Sequence, residues 1–301
     1  MATTDNTEYG DDVVAVPLRH PLRWIFGGLA TALLLSFVWA VFSAKSIQHE
    51  IVAKFLFDPR ILQGMLVTIF VTVLCMFIAT ILATILAIMK LSANPLQRWL
   101  ATGFIEFFRG TPLLLQIVFW GYLGIIFPQL VLGVPYTDIV WLSGDTSDLI
   151  PAIVAGVIAL SLNEAAYSAE IVRAGILAVD SGQVEAAQSL GMSGGYTMRR
   201  IVLPQAMRVI IPPMGNEFIG MLKSTSLLQV IAVAELYTAA STISSANLAQ
   251  IELLVVSGFW YLVMTTVLGF PQRALERRYG RGFAAVGGRA APRAFKVGKR
   301  S

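Results

Sequence analysis

A row of polar and ionisable side chains interrupts one of the long apolar stretches of the sequence. The stretch begins at Leu149, and beyond Leu162 its polar residues recur at steps of three and four: Asn163, Glu164, Tyr167, Glu170 and Arg173. Such steps place most of them on one face of a helix. Ionisable groups are costly inside an apolar span and usually line a pathway or meet a partner. We therefore interpret the first four as the candidate lining of a solute path. The rival interpretations are helix packing for the whole row and a simple pair between Glu170 and Arg173.

A second polar group follows two adjacent prolines in the apolar stretch 209–234. Pro212 and Pro213 remove backbone donors from a helix, and broken helices are tolerated where they line a cavity. The polar residues just beyond the prolines are Asn216, Glu217 and Lys223. We expect these three to face such a cavity and to contact the solute, with a packing kink as an equally weighted alternative.

Glu106 and Arg109 form a third group. They are three residues apart, so they share a helix face and can pair. A solute contact is the alternative. The sequence favours a structural ion pair near the inner headgroups.

The composition around these groups is that of a membrane protein. Hydrophobic residues make up 56% of the 301 residues and charged residues 13%, whereas an average soluble domain has about 25% charged residues. The mean hydropathy is +0.72. These values exclude a soluble enzyme and a disordered chain. A disulfide-stapled secreted domain is excluded too, because Cys75 is the single cysteine.

No catalytic, metal or nucleotide site is expected in this chain. The histidines, His20 and His49, are far apart, and no nucleophile and base have catalytic spacing. Gly215 and Gly220 resemble the glycines of a phosphate-binding loop. Lys223 does not directly follow the second glycine, however, as that motif requires. We therefore expect no bound cofactor and no nucleic acid.

About six spanning helices are predicted, so the expected fold class is an all-α polytopic membrane protein. A helix needs about 20 mostly apolar residues to cross the membrane. The apolar runs are 24–44, 61–89, 111–127, the run from Leu149, about 209–234, and 251–270. The first run is too long, and begins too far into the chain, for a cleaved signal peptide. It is interpreted as an extra N-terminal helix.

The positions of lysine and arginine predict the orientation of the chain. With the N-terminus inside, most of the 22 basic residues lie in inner segments, whereas 128–148 has three aspartates and no base. Basic residues collect on the cytoplasmic side. We therefore predict that both terminal segments, 1–23 and 272–301, lie in the cytoplasm. The basic tail 272–301 can touch anionic lipid headgroups, although a solvated tail is the preferred interpretation.

The segment 180–204, between the fourth and fifth spans, is predicted to form two short helices joined by a glycine turn. Asp180 and Gln183 have the spacing of a capping box. Gly191 stands where a helix ends in a left-handed residue. Ser193 can then cap a second helix, which runs to about Ile201 before Pro204 stops it.

The same segment carries a family resemblance. Glu185-Ala-Ala, Gly191 six residues later, and Ile201-x-Leu203-Pro204 resemble the EAA loop of permease subunits of bacterial ATP-binding cassette importers. The stretches 104–116, 162–176 and 203–236 resemble the polar amino acid permeases for histidine, glutamate, glutamine and arginine. The similarity runs from about Leu62 to Arg273.

The resemblance implies a permease domain at 61–271 with a coupling loop at about 180–204. In such systems two permease subunits, identical or homologous, line the path, two separate ATPase subunits use ATP and Mg, and an external binding protein delivers the solute. The chain itself would not be an enzyme. The implied ATPase-docking residues are Gly182, Gln183, Glu185, Ala186, Ala187, Leu190, Gly191, Ile201, Leu203 and Pro204. An ordinary connector is the alternative, but it would require no particular spacing.

An amino acid solute would need a partner for its ammonium and one for its carboxylate. Asn163 or Tyr167 can hydrogen-bond it, and Glu164 can meet the ammonium. The family often has an acidic residue where Ser224 stands, which leaves the solute's side-chain charge open. The second hypothesis is an ion-coupled secondary transporter with Glu164 and Glu170 as the relay, and the third is a membrane anchor or sensor.

Overall fold

The computed structural model describes residues 21–43, 47–133 and 140–279. The predicted tails 1–23 and 272–301 therefore lie largely outside the described residues. The chain divides into two compact units at Gln48 and His49. The described part of the first unit contains the helix α1 (Pro21–Phe42), which at 1.5 Å per residue is about 33 Å long. Its Trp24 and Trp39 side chains are exposed, as suits a helix that contacts lipid.

The second unit is built mostly of helices. They are α2 (His49–Leu56), α3 (Pro59–Leu91), α4 (Pro95–Gly110), α5 (Leu113–Gly121), α6 (Leu123–Ile126), α7 (Thr146–Leu149), α8 (Ala152–Leu177), α9 (Ser181–Ser189), α10 (Gly194–Thr197), α11 (Leu203–Ser224), α12 (Leu236–Asn247) and α13 (Gln250–Tyr279). A π-helical segment, Met198–Val202, joins α10 to α11, and a 3₁₀ segment, Thr225–Ile231, follows α11.

Three helices of the described residues, α3, α8 and α13, are long and apolar enough to cross a membrane. A fourth crossing is formed if the helical run Gly194–Ile231 and the bent continuation Leu236–Asn247 are taken together. The all-α polytopic class is confirmed. The predicted second, fourth and sixth runs correspond to these three helices.

The predicted third span, 111–127, is not a single helix. It is split into α5 and α6 at Tyr122, and Thr111 before it is extended (φ −109°, ψ 140°). Thr111 is extended because it precedes Pro112, and a residue before proline is disfavoured in the helical region. The helix α4 therefore ends at Gly110, and α5 starts anew.

Two antiparallel strands lie in the segment 128–148, where the sequence predicts only an outer loop. Strand β1 (Gln129–Gly133) pairs antiparallel with β2 (Val140–Asp145), and the register places Leu130 opposite Gly144. The strands contain valine and tryptophan, which favour extended structure. In the sequence, these two strands are too short to be distinguished from the end of a spanning helix.

Small residues bring α3 and α8 close together. Ala79 and Ala83 on α3 pack with Ala165 and Ala169 on α8, and all four are completely buried. Pairs of small residues four apart let two helix backbones approach closely in a membrane. The polar row of α8 is therefore carried on a helix that is fixed against α3.

Pro204 does not end a helix, contrary to the prediction. The chain stays helical from Gly194 to Ile231, and Pro204 is the second residue of α11. The preceding π turn, in which Leu203 N–H donates to Met198 O, widens the helix at this point. The extra residue in this turn makes room for the proline ring, so the helix continues.

Candidate functional site

Two buried amides hold the break between α4 and α5. Gln116 Nε2 donates to the backbone oxygen of Phe108 at 3.0 Å and to that of Thr111 at 3.1 Å. Asn163 Nδ2, from α8, donates to the same Phe108 oxygen at 3.0 Å and to Gln116 Oε1 at 3.2 Å. A regular helix would supply the donor four residues on, but that residue is Pro112, which has no N–H. Asn163 thus ties α8 to the break, and the sequence offered no indication that Gln116 would be its partner.

Glu164 and Glu217 bring two carboxylates near each other. Glu164 is 7% exposed, and its Oε1 accepts from Ser168 Oγ at 2.7 Å. The half-buried Glu217 lies on α11, which packs against α8. Neither carboxylate forms an ion pair with any residue that the structure describes. Together they favour the approach of a positive charge.

The predicted ion pair between Glu106 and Arg109 is wrong. Both side chains are exposed, and the ion pairs within the described residues do not include them. Instead, the Arg109 guanidinium lies over the ring of Tyr167, with its central carbon 5.2 Å from the ring centroid. A guanidinium is attracted to the negative face of an aromatic ring at this distance. Arg109 therefore points toward the polar row of α8 and away from Glu106.

Glu170 is held by two cations. Its Oε1 lies 2.6 Å from Lys90 Nζ of α3, and its Oε2 accepts from Arg173 Nε at 3.0 Å and from Arg173 Nη2 at 2.9 Å. Glu170 and Arg173 thus form the simple pair that was one of the interpretations from sequence. Lys90 joins this pair from α3. A carboxylate fixed in this way is a poor proton relay, so the ion-coupled alternative finds no support here.

The fifth-span candidates do not line the large cavity beside α11. This cavity, of about 810 Å³, lies between α3, α8, α11 and α13, and Thr80, Thr84 and Gln272 are its polar side chains. The residues predicted to face such a cavity and absent from its lining are Asn216, Glu217 and Lys223. The reason is that α11 continues through Pro212 and Pro213. Asn216, Glu217 and Lys223 consequently keep the positions of a continuous helix, and their side chains do not face the cavity.

A buried carboxylate that sequence reasoning missed joins three helices. Glu235 is fully buried and accepts from the backbone N–H of Tyr237 at 2.9 Å and of Thr238 at 2.6 Å, which caps α12. It also accepts from Tyr261 Oη of α13 at 2.8 Å and lies 3.5 Å from Thr68 Oγ1 of α3. Its position just before a helix was the available clue, because acidic side chains favour N-caps.

The loop 180–204 forms a rigid corner. Asp180 caps α9 by accepting from Gly182 N at 2.7 Å. At the other end Gly191 has φ +76°, its N–H donates to Gln188 O at 2.9 Å, and Met192 N–H donates to Ala187 O at 3.1 Å. These two bonds are those of a Schellman motif. The glycine turn predicted from sequence is therefore present, with its left-handed residue at the expected position.

The surface of this corner is open. Glu185 and Ala186 are exposed, and Leu190 is 82% exposed. Ala187 is buried and anchors α9. Most of the other predicted docking residues are exposed as well. Ile201 is partly buried, and the exposed ones are Gly182, Gln183, Gly191, Leu203 and Pro204.

Comparison with known proteins decides the family. Residues 79–281 match the model of the family described as "Binding-protein-dependent transport system inner membrane component". The chain belongs to this family. As an inner membrane component of such a transport system it is a transport subunit and not an enzyme.

This inner membrane component has relatives along most of its length. It is 42% identical over 271 residues to the arginine transport system permease protein ArgU of Corynebacterium glutamicum, covering 90% of this chain and 84% of that protein. It is 38% identical to the L-cystine transport system permease protein TcyB of Bacillus subtilis, covering 75% and 88%. With the glutamate/aspartate import permease protein GltK of Escherichia coli the identity is 34%, covering 73% and 93%.

Solved structures have the same fold. A crystal structure of an amino acid ABC transporter with histidines matches with a TM-score of 0.63 and 36% identity, covering 75% of this inner membrane component and 97% of that chain. A chain of the MetNI methionine ABC transporter in an inward-facing conformation matches with a TM-score of 0.56 at 14% identity, covering 73% and 96%. The second likeness concerns the fold alone.

Proposed function

We propose that this chain is the membrane-spanning permease subunit of an ATP-binding cassette importer for polar amino acids, with arginine as the first solute to test. Relatives named as permeases for arginine, cystine and glutamate or aspartate support the class of solute. The relative named for arginine has 42% identity over 90% of the chain. The unpaired carboxylates of Glu164 and Glu217 favour a cationic solute. This pair is the structural observation that supports arginine.

The loop 180–204 is proposed to couple the permease to a separate ATPase. Its corner is rigid because Asp180 caps one end of α9 and the Schellman bonds fix the other. Beyond the corner, the helical run Gly194–Ile231 continues without a break, a length of about 55 Å at 1.5 Å per residue. A force applied at the loop is therefore transmitted along one stiff element. Rigid-body movement of this kind opens and closes many transporters.

The proposed assembly contains a second permease subunit, identical or homologous, two ATPase subunits and an external binding protein. Exposed polar side chains within the helices support the second permease: Tyr167, Asn216 and Lys223. Polar residues are costly against lipid and face a partner or a water-filled path instead. ATP and Mg belong to the ATPase in this proposal, and the permease binds neither.

The proposed orientation has the loop 180–204 and both termini in the cytoplasm of a multi-pass inner-membrane protein. Lys90 lies near the end of α3 and Arg173 near the end of α8 that leads into the loop, and the two meet at Glu170. The basic residues thus gather at the same end of the helices as the loop. This agrees with the positive-inside rule.

Reconstitution tests the proposed function. The permease, its ATPase and the binding protein are placed in vesicles, and uptake of radiolabelled arginine is measured with ATP and with a non-hydrolysable analogue. We expect uptake with ATP and none with the non-hydrolysable analogue. Uptake driven by a proton or sodium gradient in the absence of ATP would contradict the proposal and favour the ion-coupled alternative.

A further inference from the structure

We propose that Arg109 is the binding site for the solute's α-carboxylate and that Tyr167 is the residue that positions it. The inference rests on the proposed function, because it concerns how an amino acid is bound on its way through the permease. It assigns a solute contact to Arg109, for which the sequence favours a structural ion pair with Glu106.

The depth of Arg109 gives the first argument. Along α4 it lies fourteen residues from Pro95, or about 21 Å at 1.5 Å per residue. Along α8 its neighbour Tyr167 lies ten residues from Leu177, or about 15 Å from that end. The hydrocarbon core is about 30 Å thick. Arg109 therefore contacts the central part of α8, a helix long enough to cross the membrane.

The lack of an anionic partner gives the second argument. No carboxylate among the described residues lies within 4.0 Å of the Arg109 guanidinium, and the side chain is exposed. A guanidinium at this depth is costly unless it meets an anion or water. Its planar fork matches a carboxylate, which it binds with two parallel hydrogen bonds. Every amino acid solute brings a carboxylate, whatever its side chain.

The surroundings give the third argument. Arg109 stands at the break between α4 and α5, and a Cβ built on the next residue, Gly110, would meet no atom within 4 Å. Glu164 lies on α8 three residues before Tyr167, and residues at this spacing share one side of a helix. The ammonium and carboxylate of an amino acid are joined through one carbon. A cation and an anion on neighbouring turns therefore suit the two charges of one zwitterion.

Tyr167 acts through Arg109. Its ring fixes the guanidinium at 5.2 Å by a contact that uses the ring face and not the hydroxyl. Phenylalanine keeps that face, and leucine removes it. The two variants therefore separate support of Arg109 from a direct hydrogen bond to the solute.

The test compares arginine with agmatine, which is arginine without its carboxylate. The purified permease–ATPase complex is placed in lipid nanodiscs without binding protein, and binding of radiolabelled arginine is competed with each compound. We expect wild type to bind arginine about 10- to 100-fold more tightly than agmatine, the range for a hydrogen-bonded charge pair. In Arg109→Gln we expect arginine to fall to the level of agmatine, whose binding stays as in wild type.

Three variants act as controls. Glu106→Gln changes an exposed charge on the same helix and should leave both affinities as in wild type. Tyr167→Phe should keep the preference for arginine over agmatine, and Tyr167→Leu should lower it several-fold through arginine alone. Histidine and histamine form a second pair with the same expected pattern, because only the carboxylate differs.

The outcomes are distinguishable. An Arg109→Gln complex that keeps the wild-type preference overturns the carboxylate site and leaves the proposed function intact. Equal loss of arginine and agmatine also overturns it, because the effect is then not specific to the carboxylate. A wild-type complex that binds none of the amino acids overturns the proposed solute class and this inference together.

Discussion

Single side chains decide how closely the helices of this permease approach. Gly215 of α11 lies directly under Gln272 of α13, and a Cβ at that position would be 1.6 Å from Gln272 Oε1. Gln272 is buried, and its Nε2 donates to Pro212 O at 2.7 Å. The absence of a side chain at residue 215 is therefore what allows α13 to bond to α11.

We expect Gly215→Ala to displace Gln272 and to break its bond to Pro212. The loss of a buried hydrogen bond should lower the free energy of unfolding by roughly 1–3 kcal/mol, measured as a lower midpoint of thermal unfolding in nanodiscs. Gly258→Ala, on α13, is the matched control, because no atom lies within 4 Å of its added Cβ. Equal midpoints for the two variants would contradict the contact.

Asp58 provides a pH-dependent prediction outside the spans. It caps α3 by accepting from Arg60 N at 2.9 Å, and the Arg60 side chain holds the pKa of this carboxyl below its usual value. A group with a depressed pKa stabilises the fold above its unfolded pKa of about 4 and loses that effect as the pH falls through its folded pKa.

Asp58→Ala should therefore destabilise the permease by about 1 kcal/mol at pH 7, the typical value of an N-cap. The difference from wild type should shrink below about pH 4, followed by thermal unfolding across a pH series. Asp58→Asn keeps an acceptor that does not titrate. If the difference in stability between wild type and Asp58→Ala is the same at pH 3 and pH 7, the charged cap is excluded.

At the scale of elements, the breaks between helices decide the mechanical behaviour of the permease. The break after α4 follows from Pro112, and the corner of the loop 180–204 follows from Gly191. The fifth span bends by 44° only after Ile231, where Ala232 adopts a left-handed conformation with φ +58°. The helical run Gly194–Ile231 therefore lies between two left-handed residues, Gly191 and Ala232.

Gly191→Ala should impair coupling. A residue with a Cβ is strained by about 1–2 kcal/mol at a positive φ, so the corner should shift or fray. We expect ATP-driven uptake to fall several-fold while the protein remains inserted. The matched control is Gly195→Ala in the same loop, where the φ is not positive and no atom lies within 4 Å of the added Cβ. Equal uptake by both variants would argue against a coupling role for the corner.

Local chemistry in the sequence was sufficient for some elements and insufficient for others. The cap at Asp180 and the turn at Gly191 depend on neighbouring residues, and both were predicted. Pro204, by contrast, was expected to end a helix, because the π turn that accommodates it has no sequence signature. Nothing in the sequence marks Ala232 as left-handed either, since a non-glycine residue rarely adopts a positive φ.

The candidate site shows the same limit. The helical spacing of Asn163, Glu164 and Tyr167 is visible in sequence, but their partners are not. Gln116 meets Asn163 across 47 positions of the chain, and Arg109 meets Tyr167 instead of its near neighbour Glu106. Pairs that are distant in sequence depend on how helices pack, which a periodic pattern on one helix cannot specify.

On the scale of the whole molecule, the orientation of the chain in the membrane determines which partners can reach each of its surfaces. The family match covers residues 79–281, and the described helices are long enough to cross the membrane several times. The side on which the loop 180–204 lies decides whether a cytoplasmic ATPase can reach it. Cys75 is buried, so the native chain offers little background to thiol reagents.

Single cysteines should report that orientation. We expect Ser143→Cys, in the exposed part of β2, to react with a membrane-impermeant maleimide on intact cells. Gly195→Cys, exposed in the loop, should react only after the membrane is permeabilised. Both positions are exposed, so the difference would come from the barrier alone. The reverse pattern would contradict the cytoplasmic placement of the loop.

The alanine contact between α3 and α8 has a consequence for how the permease changes shape. Because Ala79, Ala83, Ala165 and Ala169 leave no space between the two backbones, and Lys90 pairs with Glu170 near one end, neither helix can slide past the other without losing these contacts. The pair is expected to travel as one body. Relative motion during a transport cycle is then confined to the side that faces α11 and α13, where the large apolar cavity leaves room for displacement.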